Sequence, residues 1–305
     1  MNWILVTIFV YFLFAIVFLI DKYILVDFVI DPKIYTFCVS LLGMFVLIFI
    51  PFIDFYLPDQ EHLFFALFSG IMFVPALFFF NILLLKFEAS RVVPAIGGMI
   101  PIFIFVLSNV LSPEMARLDY AQIISLFILV AGSVLISYKP SKGSKIDSKM
   151  LKMILICSFL FALSSLFSKY AYIDQKFLVM LVWMKVGGFL ASLLFLLEKN
   201  TRDKIFKDAQ NVFPQKAKGL FIANQAMGAS GNILFNWVIF IVPIGFVAIV
   251  NALQGLQNIF LFVFALFFSK KFPKIFQENL SRNVLIQKFI SIILIGSGLV
   301  ILAFK

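Results

Sequence analysis

Between Lys218 and Lys270 the chain reads GLFIANQAMGASGNILFNWVIFIVPIGFVAIVNALQGLQNIFLFVFALFFS, residues 219–269, without one Asp, Glu, Lys, Arg or His. Fifty-one uncharged residues are far more than the roughly 20 that cross a bilayer. The stretch therefore predicts two spans, folded back at Val242-Pro243-Ile244-Gly245. It is not plainly apolar, because it carries eight side-chain amides: Asn224, Gln225, Asn232, Asn236, Asn251, Gln254, Gln257 and Asn258. On helical spacing Gln225, Asn232 and Asn236 fall within about 40° of one another, and Asn251, Gln254 and Asn258 within about 60°. Hydrocarbon offers amides no hydrogen-bond partner, so two such stripes need each other or something polar between them. Amides also glue membrane helices together, at about 0.6 kcal/mol per bond. Six on two coherent faces are more than gluing needs, and they predict a substrate-facing polar path.

The totals agree with a membrane setting. At 63% hydrophobic and 13% charged residues, with a mean hydropathy of +1.09, the chain is excluded from the soluble globular class. A net charge of +10 would suggest nucleic acid in a soluble protein; here it marks basic loops, and no nucleic-acid partner is expected. The 42 Phe read as lipid-facing filler. Cys38 and Cys157 lie in apolar runs without a Cys-x-x-Cys or His cluster, so neither a disulfide framework nor a metal site is indicated. The lone His62 sits in a polar loop and reads as solvated. The first apolar run has no basic region before it and no small-residue cleavage motif, and reads as a retained span. There is no Gly-Lys-Ser/Thr phosphate loop, no Gly-x-Ser-x-Gly elbow and no His-Glu-x-x-His pair, so the expectation is a protein that is not an enzyme, with no catalytic residues and no cofactor.

Apolar runs give ten expected spans: 2–20, 34–53, 63–85, 92–112, 120–138, 151–170, 177–197, 219–241, 246–268 and 287–304. The halves repeat. Phe14-Ala15 followed by Lys22-Tyr23 recurs as Phe161-Ala162 followed by Lys169-Tyr170 at the same spacing, and Phe80-Asn81 recurs as Phe235-Asn236. Leu129-Val130-Ala131-Gly132-Ser133 resembles Leu294-Ile295-Gly296-Ser297-Gly298. The expected organisation is a first five-helix repeat at 1–138, a basic linker at 139–150 and a second five-helix repeat at 151–305. An odd number of spans inverts the second copy, and inverted repeats usually place their site at the interface near the midplane.

Leu85-Lys86-Phe87-Glu88-Ala89-Ser90-Arg91-Val92-Val93, continuing through Ile100-Pro101-Ile102-Phe103 to Ser112-Pro113-Glu114, resembles the junction of spans 3 and 4 in the EamA family of the drug/metabolite transporter superfamily. Lys185, in Trp183-Met184-Lys185-Val186-Gly187-Gly188, falls where that family often has a basic residue in the second span of a repeat. The resemblance implies an all-α polytopic protein of ten transmembrane helices in two inverted five-helix repeats, carrying small organic solutes and often exporting them. It departs in two respects: Ser40 stands at the first-half counterpart of Lys185, and the loop from Asp54 to His62 is acidic where the family is usually basic. Lys and Arg number twenty on the loops after spans 1, 3, 5, 7 and 9 and four on the other side. That bias predicts external termini in a cytoplasmic (inner) membrane of a bacterium or its equivalent.

Lys185 is the charge expected well inside a span, where an unpaired cation costs several kcal/mol and marks a cavity unless it snorkels. It would hold an anionic group of the substrate, with Gln225, Asn232, Asn236, Asn251, Gln254 and Asn258 bonding the polar remainder, Asn81 joining from the first half and Arg91 at the entrance. Trp183 and Trp237 read as packing. Gly187, Gly188, Gly228, Gly231 and Gly255 permit close helix approach, and Ala131, Gly132, Gly296 and Gly298 suit helix contacts on spans 5 and 10, with a monomer or a homodimer through those spans both open. Asp21, placed at the end of span 1, is the one carboxylate near the spans, which disfavours carboxylate-based proton coupling. The expected function is secondary transport of small polar or zwitterionic, amino-acid-like metabolites by alternating access, as exporter, uniporter or exchanger. The alternatives are a nucleotide-sugar or phosphorylated-metabolite exchanger, a lipid-carrier flippase and a non-transporting scaffold.

Overall fold

The computed structural model describes residues 3–28, 30–87, 89–135, 148–207, 215–268 and 282–303, and among these there is no strand. The helices are α1 (Trp3–Asp27), α2 (Pro32–Gly43), α3 (Gln60–Lys86), α4 (Ala89–Leu111), α5 (Tyr120–Leu135), α6 (Ser148–Tyr172), α7 (Phe177–Ser192), α8 (Lys199–Lys207), α9 (Gln215–Ile241), α10 (Phe246–Ala252), α11 (Gly255–Phe268) and α12 (Arg282–Ala303). Among the described residues, seven stretches are long and apolar enough to cross a membrane: Trp3–Leu25, Pro32–Phe52, Gln60–Lys86, Val92–Leu111, Ser148–Tyr172, Phe177–Leu197 and Phe246–Phe264. Tyr120–Leu135 and Ile286–Ile301 are shorter apolar helices. The chain is an all-helical, membrane-embedded protein. Each of the ten expected spans overlaps at least one of these helices, but α9, under 219–241, is among neither the seven stretches nor the shorter two. The basic linker lies mostly outside the described residues, as do 269–281 and Lys305.

Helix ends follow local chemistry. Asp31 caps α2 by accepting from the backbone N–H of Lys33 at 2.9 Å, and Pro32, which has no N–H to satisfy, opens the helix. Two helices share an unusual build, because α2 runs on into a 3-10 tail, Met44–Phe52, and α7 into a shorter one, Leu193–Leu197. The ends of this pair are tied to each other. Lys33, at the start of α2, bonds Glu198 beyond the end of α7 at 2.5 Å, and Lys176, at the start of α7, bonds Asp54 beyond the end of α2 at 2.9 Å.

The uncharged hairpin is present, with α9 ending at Ile241 and α10 starting at Phe246. Its second arm is not one continuous helix. Around Leu253-Gln254 the backbone bonds shorten to three-residue steps, Gln254 to Asn251 at 3.1 Å, Leu256 to Leu253 at 2.9 Å and Gln257 to Gln254 at 3.0 Å. A 3-10 step turns about 120° per residue rather than about 100°, so the phase that aligns Asn251, Gln254 and Asn258 on one regular helix does not carry through this turn. The buried α10 sits centrally, against α4, α5 and α6.

Elsewhere α3 lies between α6 and α7, α1 packs on α9 and α11, and α5 packs on α12. The crossing of α3 with α7 is the tightest. A Cβ on Gly70 would fall 1.9 Å from the Met184 carbonyl oxygen, and one on Gly187 would fall 2.3 Å from that of Leu67. Gly132 and Gly298 serve the contact between α5 and α12, where their Cβ positions meet Ile295 and Leu129 at 2.7 and 2.8 Å. A Cβ on Gly296 would meet nothing within 4 Å.

Candidate functional site

The close crossing of α3 and α7 places Lys185, one turn before Gly188, at the wall of a cavity of about 80 Å³. Its lining comes from α2 (Ser40, Gly43), α3 (Ser69, Gly70, Phe73), α6 (Ser164, Ser168), α7 (Met184, Lys185, Gly188) and α9 (Asn232, Asn236), with apolar neighbours on α2, α3 and α7. Lys185 Nζ donates to Asn232 Oδ1 at 2.6 Å and stands 5.8 Å from the centre of the Phe73 ring. Asn236 Nδ2 donates to the Asn232 carbonyl at 2.9 Å and to its Oδ1 at 3.3 Å, while Tyr172 donates its hydroxyl to Asn236 Oδ1 at 3.2 Å. Four side chains on α6, α7 and α9 thus form one chain of bonds ending in an ammonium group. An ammonium has three donors, and Asn232 takes one of them.

The serines bond mostly among themselves. Ser69 donates to the Ser164 carbonyl at 2.9 Å and lies 2.7 Å from the Ser168 hydroxyl. Ser168 reaches the Ser164 carbonyl at 2.9 Å and Ser40 that of Thr36 at 2.9 Å. The lining therefore holds one cation, hydroxyls and amides, and no carboxylate. In a site of low polarity that set favours a small solute with a carboxylate or other anionic group.

Of the amides expected on one path, Asn232 and Asn236 line this cavity with Lys185, and the others do not. Asn81 is buried and donates to the Thr36 hydroxyl at 3.0 Å, holding α3 to α2. Asn251 is buried and donates to the Ser165 hydroxyl at 3.0 Å and the Val247 carbonyl at 2.9 Å, joining α10 to α6. Gln254 packs against Gly97 of α4, whose Cβ position lies 3.0 Å from its amide carbon. Asn258 is buried, and its Nδ2 has no partner among the described residues. Gln225 points elsewhere, at 3.2 Å from the Tyr35 hydroxyl and 3.5 Å from Asp21 Oδ1. The side chain of Arg91 lies outside the described residues.

Sequence reasoning missed the serine cluster and Tyr172. Ser164 and Ser168 stand four apart in Ser164-Ser165-Leu166-Phe167-Ser168 and share a helix face, a signal that was there to read. It also placed Asp21 at a span end, whereas α1 continues to Asp27 and Asp21 lies inside it, bonded by Tyr35 and, at 2.6 Å, by Asn224 Nδ2. The amphipathic anchors read as packing do pack. Trp183 stacks on Phe55 at 5.6 Å and donates to the Tyr56 carbonyl at 3.3 Å, and Trp237 meets Phe177 edge-on at 5.2 Å. Lys169, in the last turn of α6, donates to the Phe240 carbonyl at 2.9 Å, a cation satisfied at the C-terminal end of α9.

Against known proteins, no family model matches the chain and no curated protein matches it. The solved structures do hold its fold. A crystal structure described only as that of a protein superposes with a TM-score of 0.63, over 98% of this chain and 94% of that one, at 15% identity. At that identity the likeness is one of fold.

Proposed function

We propose that the chain is a secondary carrier of small carboxylate-bearing, amino-acid-like metabolites, working by alternating access across the cytoplasmic membrane. The observation that carries this reading is the Lys185 ammonium, held by Asn232 inside a cavity that five helices enclose and no carboxylate neutralises. Lys185 bonds the anionic group, and Asn232, Asn236 and the serine hydroxyls bond the polar remainder. One cation and a cavity of about 80 Å³ favour a small solute over a nucleotide-sugar, whose phosphates call for more positive charge.

The architecture proposed with it is ten spans in two inverted five-helix repeats, as the resemblance to the EamA family implies. The swapped ion pairs at the ends of α2 and α7 support it, since each helix gives a lysine at its start and an acid beyond its end. So does the packing of α1 on α9 beside that of α6 on α3, a first span on a third span of the other half in both cases. The uneven spread of Lys and Arg over the loops supports external termini.

The test is a thermal-shift screen of the purified protein against amino acids, nucleotides and sugar phosphates, followed by uptake into proteoliposomes. The expected result is a stabilising amino or hydroxy acid whose shift and uptake both disappear in Lys185→Ala. A stabilising solute that binds Lys185→Ala as tightly as the parent overturns the reading.

A further inference from the structure

The cluster around Asp21 answers to no part of that cavity. Asp21 lies on α1, six residues before its end, and its Oδ1 accepts from the Tyr35 hydroxyl on α2, from Asn224 Nδ2 on α9 at 2.6 Å and from Gln225 Nε2 at 3.5 Å. Three helices therefore converge on one carboxylate oxygen. Asn224 is 1% exposed, and its own Oδ1 has no hydrogen-bond partner among the described residues. Because the Nδ2 of the same amide is on Asp21, this unmatched acceptor belongs to the carboxylate's surroundings.

We propose that Asp21 is a proton-binding site of the carrier, taking up one proton on its carboxylate from one side of the membrane and releasing it to the other, in step with the solute held at Lys185. The role in transport rests on the reading of the Lys185 cavity; the proton site itself does not. The cluster is complementary to both states of the carboxyl group. Ionised, Asp21 is matched by three donors. Protonated, it gains an O–H donor, the kind of group that Asn224 Oδ1 lacks. A metal ion fits less well. The side-chain oxygens left over are Asp21 Oδ2, Asn224 Oδ1 and Gln225 Oε1, and hard cations take about six or more oxygen ligands.

Two routes connect this site with the cavity. Gln225 and Asn232 stand seven residues apart on α9, about 10 Å along one face, and Asn232 holds Lys185. On α2, Tyr35 is followed by Ser40 and Gly43, both in the cavity wall. Protonation removes the charge that Tyr35, Asn224 and Gln225 bond to, which loosens α1 and α2 from α9 at this end of the bundle. The titratable groups that the packed helices bring to this end, among the described side chains, are Lys22 and Tyr23 on α1, Asp31 at the cap of α2 with Lys33, Tyr35 and Cys38 on it, Lys86 on α3 and Lys218 on α9, with Glu198 paired to Lys33. Tyr35 bonds the carboxylate directly.

Asp21→Asn is isosteric, keeps an acceptor oxygen for the three donors and fixes the site in an uncharged state. Infrared difference spectra of the purified protein, titrated over about pH 4 to 10, are expected to show a protonated-carboxyl C=O band that comes and goes in the parent and is missing from Asp21→Asn. Identical titrating bands in the two proteins overturn the proposal. In proteoliposomes an imposed pH gradient is expected to speed uptake of radiolabelled amino acids by about tenfold in the parent, with Asp21→Asn keeping exchange and losing the acceleration. Acceleration by a sodium gradient instead, dependent on Asp21, overturns the choice of the proton. Absence of any uptake by the parent counts against the Lys185 reading, and the infrared result then decides the proton site alone.

Discussion

Aligned on Phe14-Ala15 with Phe161-Ala162 and on Phe80-Asn81 with Phe235-Asn236, the two halves bring Asp21 onto Ser168 and Asn224 onto Ser69. Both pairs are contacts in the folded chain, Asp21 to Asn224 at 2.6 Å between α1 and α9, and Ser168 to Ser69 at 2.7 Å between α6 and α3. On the proposed repeat these are one joint in two copies, and their chemistry differs. In the first, a carboxylate is surrounded by donors. In the second, hydroxyls close on each other beside a cavity, and the charge is the ammonium of Lys185 facing it. On that proposed repeat, the difference teaches that two positions can keep their helix contact while taking opposite electrical roles. It also corrects the expectation that Asp21 stands at the end of its span, since Asp21 lies inside α1.

The largest expected effect breaks the scaffold under the second joint. Gly70→Leu puts a side chain where even a Cβ meets the backbone oxygen of Met184 at 1.9 Å. Backbone cannot swing aside, so the cost exceeds the ~1–3 kcal/mol of ordinary overpacking. No monodisperse protein should survive size-exclusion chromatography. Gly228→Leu at the contact of α1 with α9 meets only the Val17 side chain, at 3.4 Å, and should yield folded protein; equal behaviour of the two variants would show that the crossings do not differ as described.

Next comes the charge of the cavity. On the proposed function, losing Lys185 removes a charge-assisted bond to an anionic solute, worth about 1.5–3 kcal/mol, so Lys185→Ala should weaken binding by about 10- to 100-fold. Its melting temperature should change little, because a desolvated cation leaves with it. Ser168→Asp makes the second joint resemble the first. Its carboxylate enters the same cavity as Lys185 and competes there with the solute, so binding should fall by up to about tenfold, measured by thermal shift, and adding Lys185→Ala should produce little further loss. Additive losses would mean that the two groups act apart.

How much of this could be read from the chain depends on what each feature is made of. The turn at Val242-Pro243-Ile244-Gly245, the hairpin and the interior place of Lys185 rest on hydropathy and on local backbone chemistry, and the structure has them where the residues put them. The second amide stripe was lost because a periodicity argument assumes one continuous helix, and the tightened turn at Leu253-Gln254 breaks the phase. Asn81 and Asn251 look alike in sequence to Asn232, yet they spend their donors on Thr36 and Ser165. Only tertiary packing decides which amide glues and which faces a cavity. Asp21 was placed at a span end because apolarity falls off there; the helix continues because α2 and α9 supply the donors that an interior carboxylate needs.

The smallest effect concerns the paired ends of α2 and α7, which differ in exposure more than in chemistry. At one end Lys33 and Glu198 have side chains 36% and 46% exposed; at the other Lys176 and Asp54 are 58% and 94% exposed. Ion pairs this open to water contribute little on their own. The hydrogen bond from Lys33, helped by that from Thr201 at 2.7 Å, still holds the Glu198 carboxyl below the usual range, and the hydrogen bond and charge of Lys176 do the same for Asp54. A carboxylate whose pKa is depressed on folding stabilises the fold above its unfolded pKa, and that contribution is lost as the pH falls through the folded one. Glu198→Gln should therefore lower the melting temperature slightly at neutral pH, and the gap from the parent should close on acidification below the ordinary carboxylate range. Asp54→Asn should follow the same course with a smaller gap, since Asp54 is the more exposed acid. A gap that widens in acid, or a larger one for Asp54→Asn, would mean that the two ends are not held by the same kind of bond.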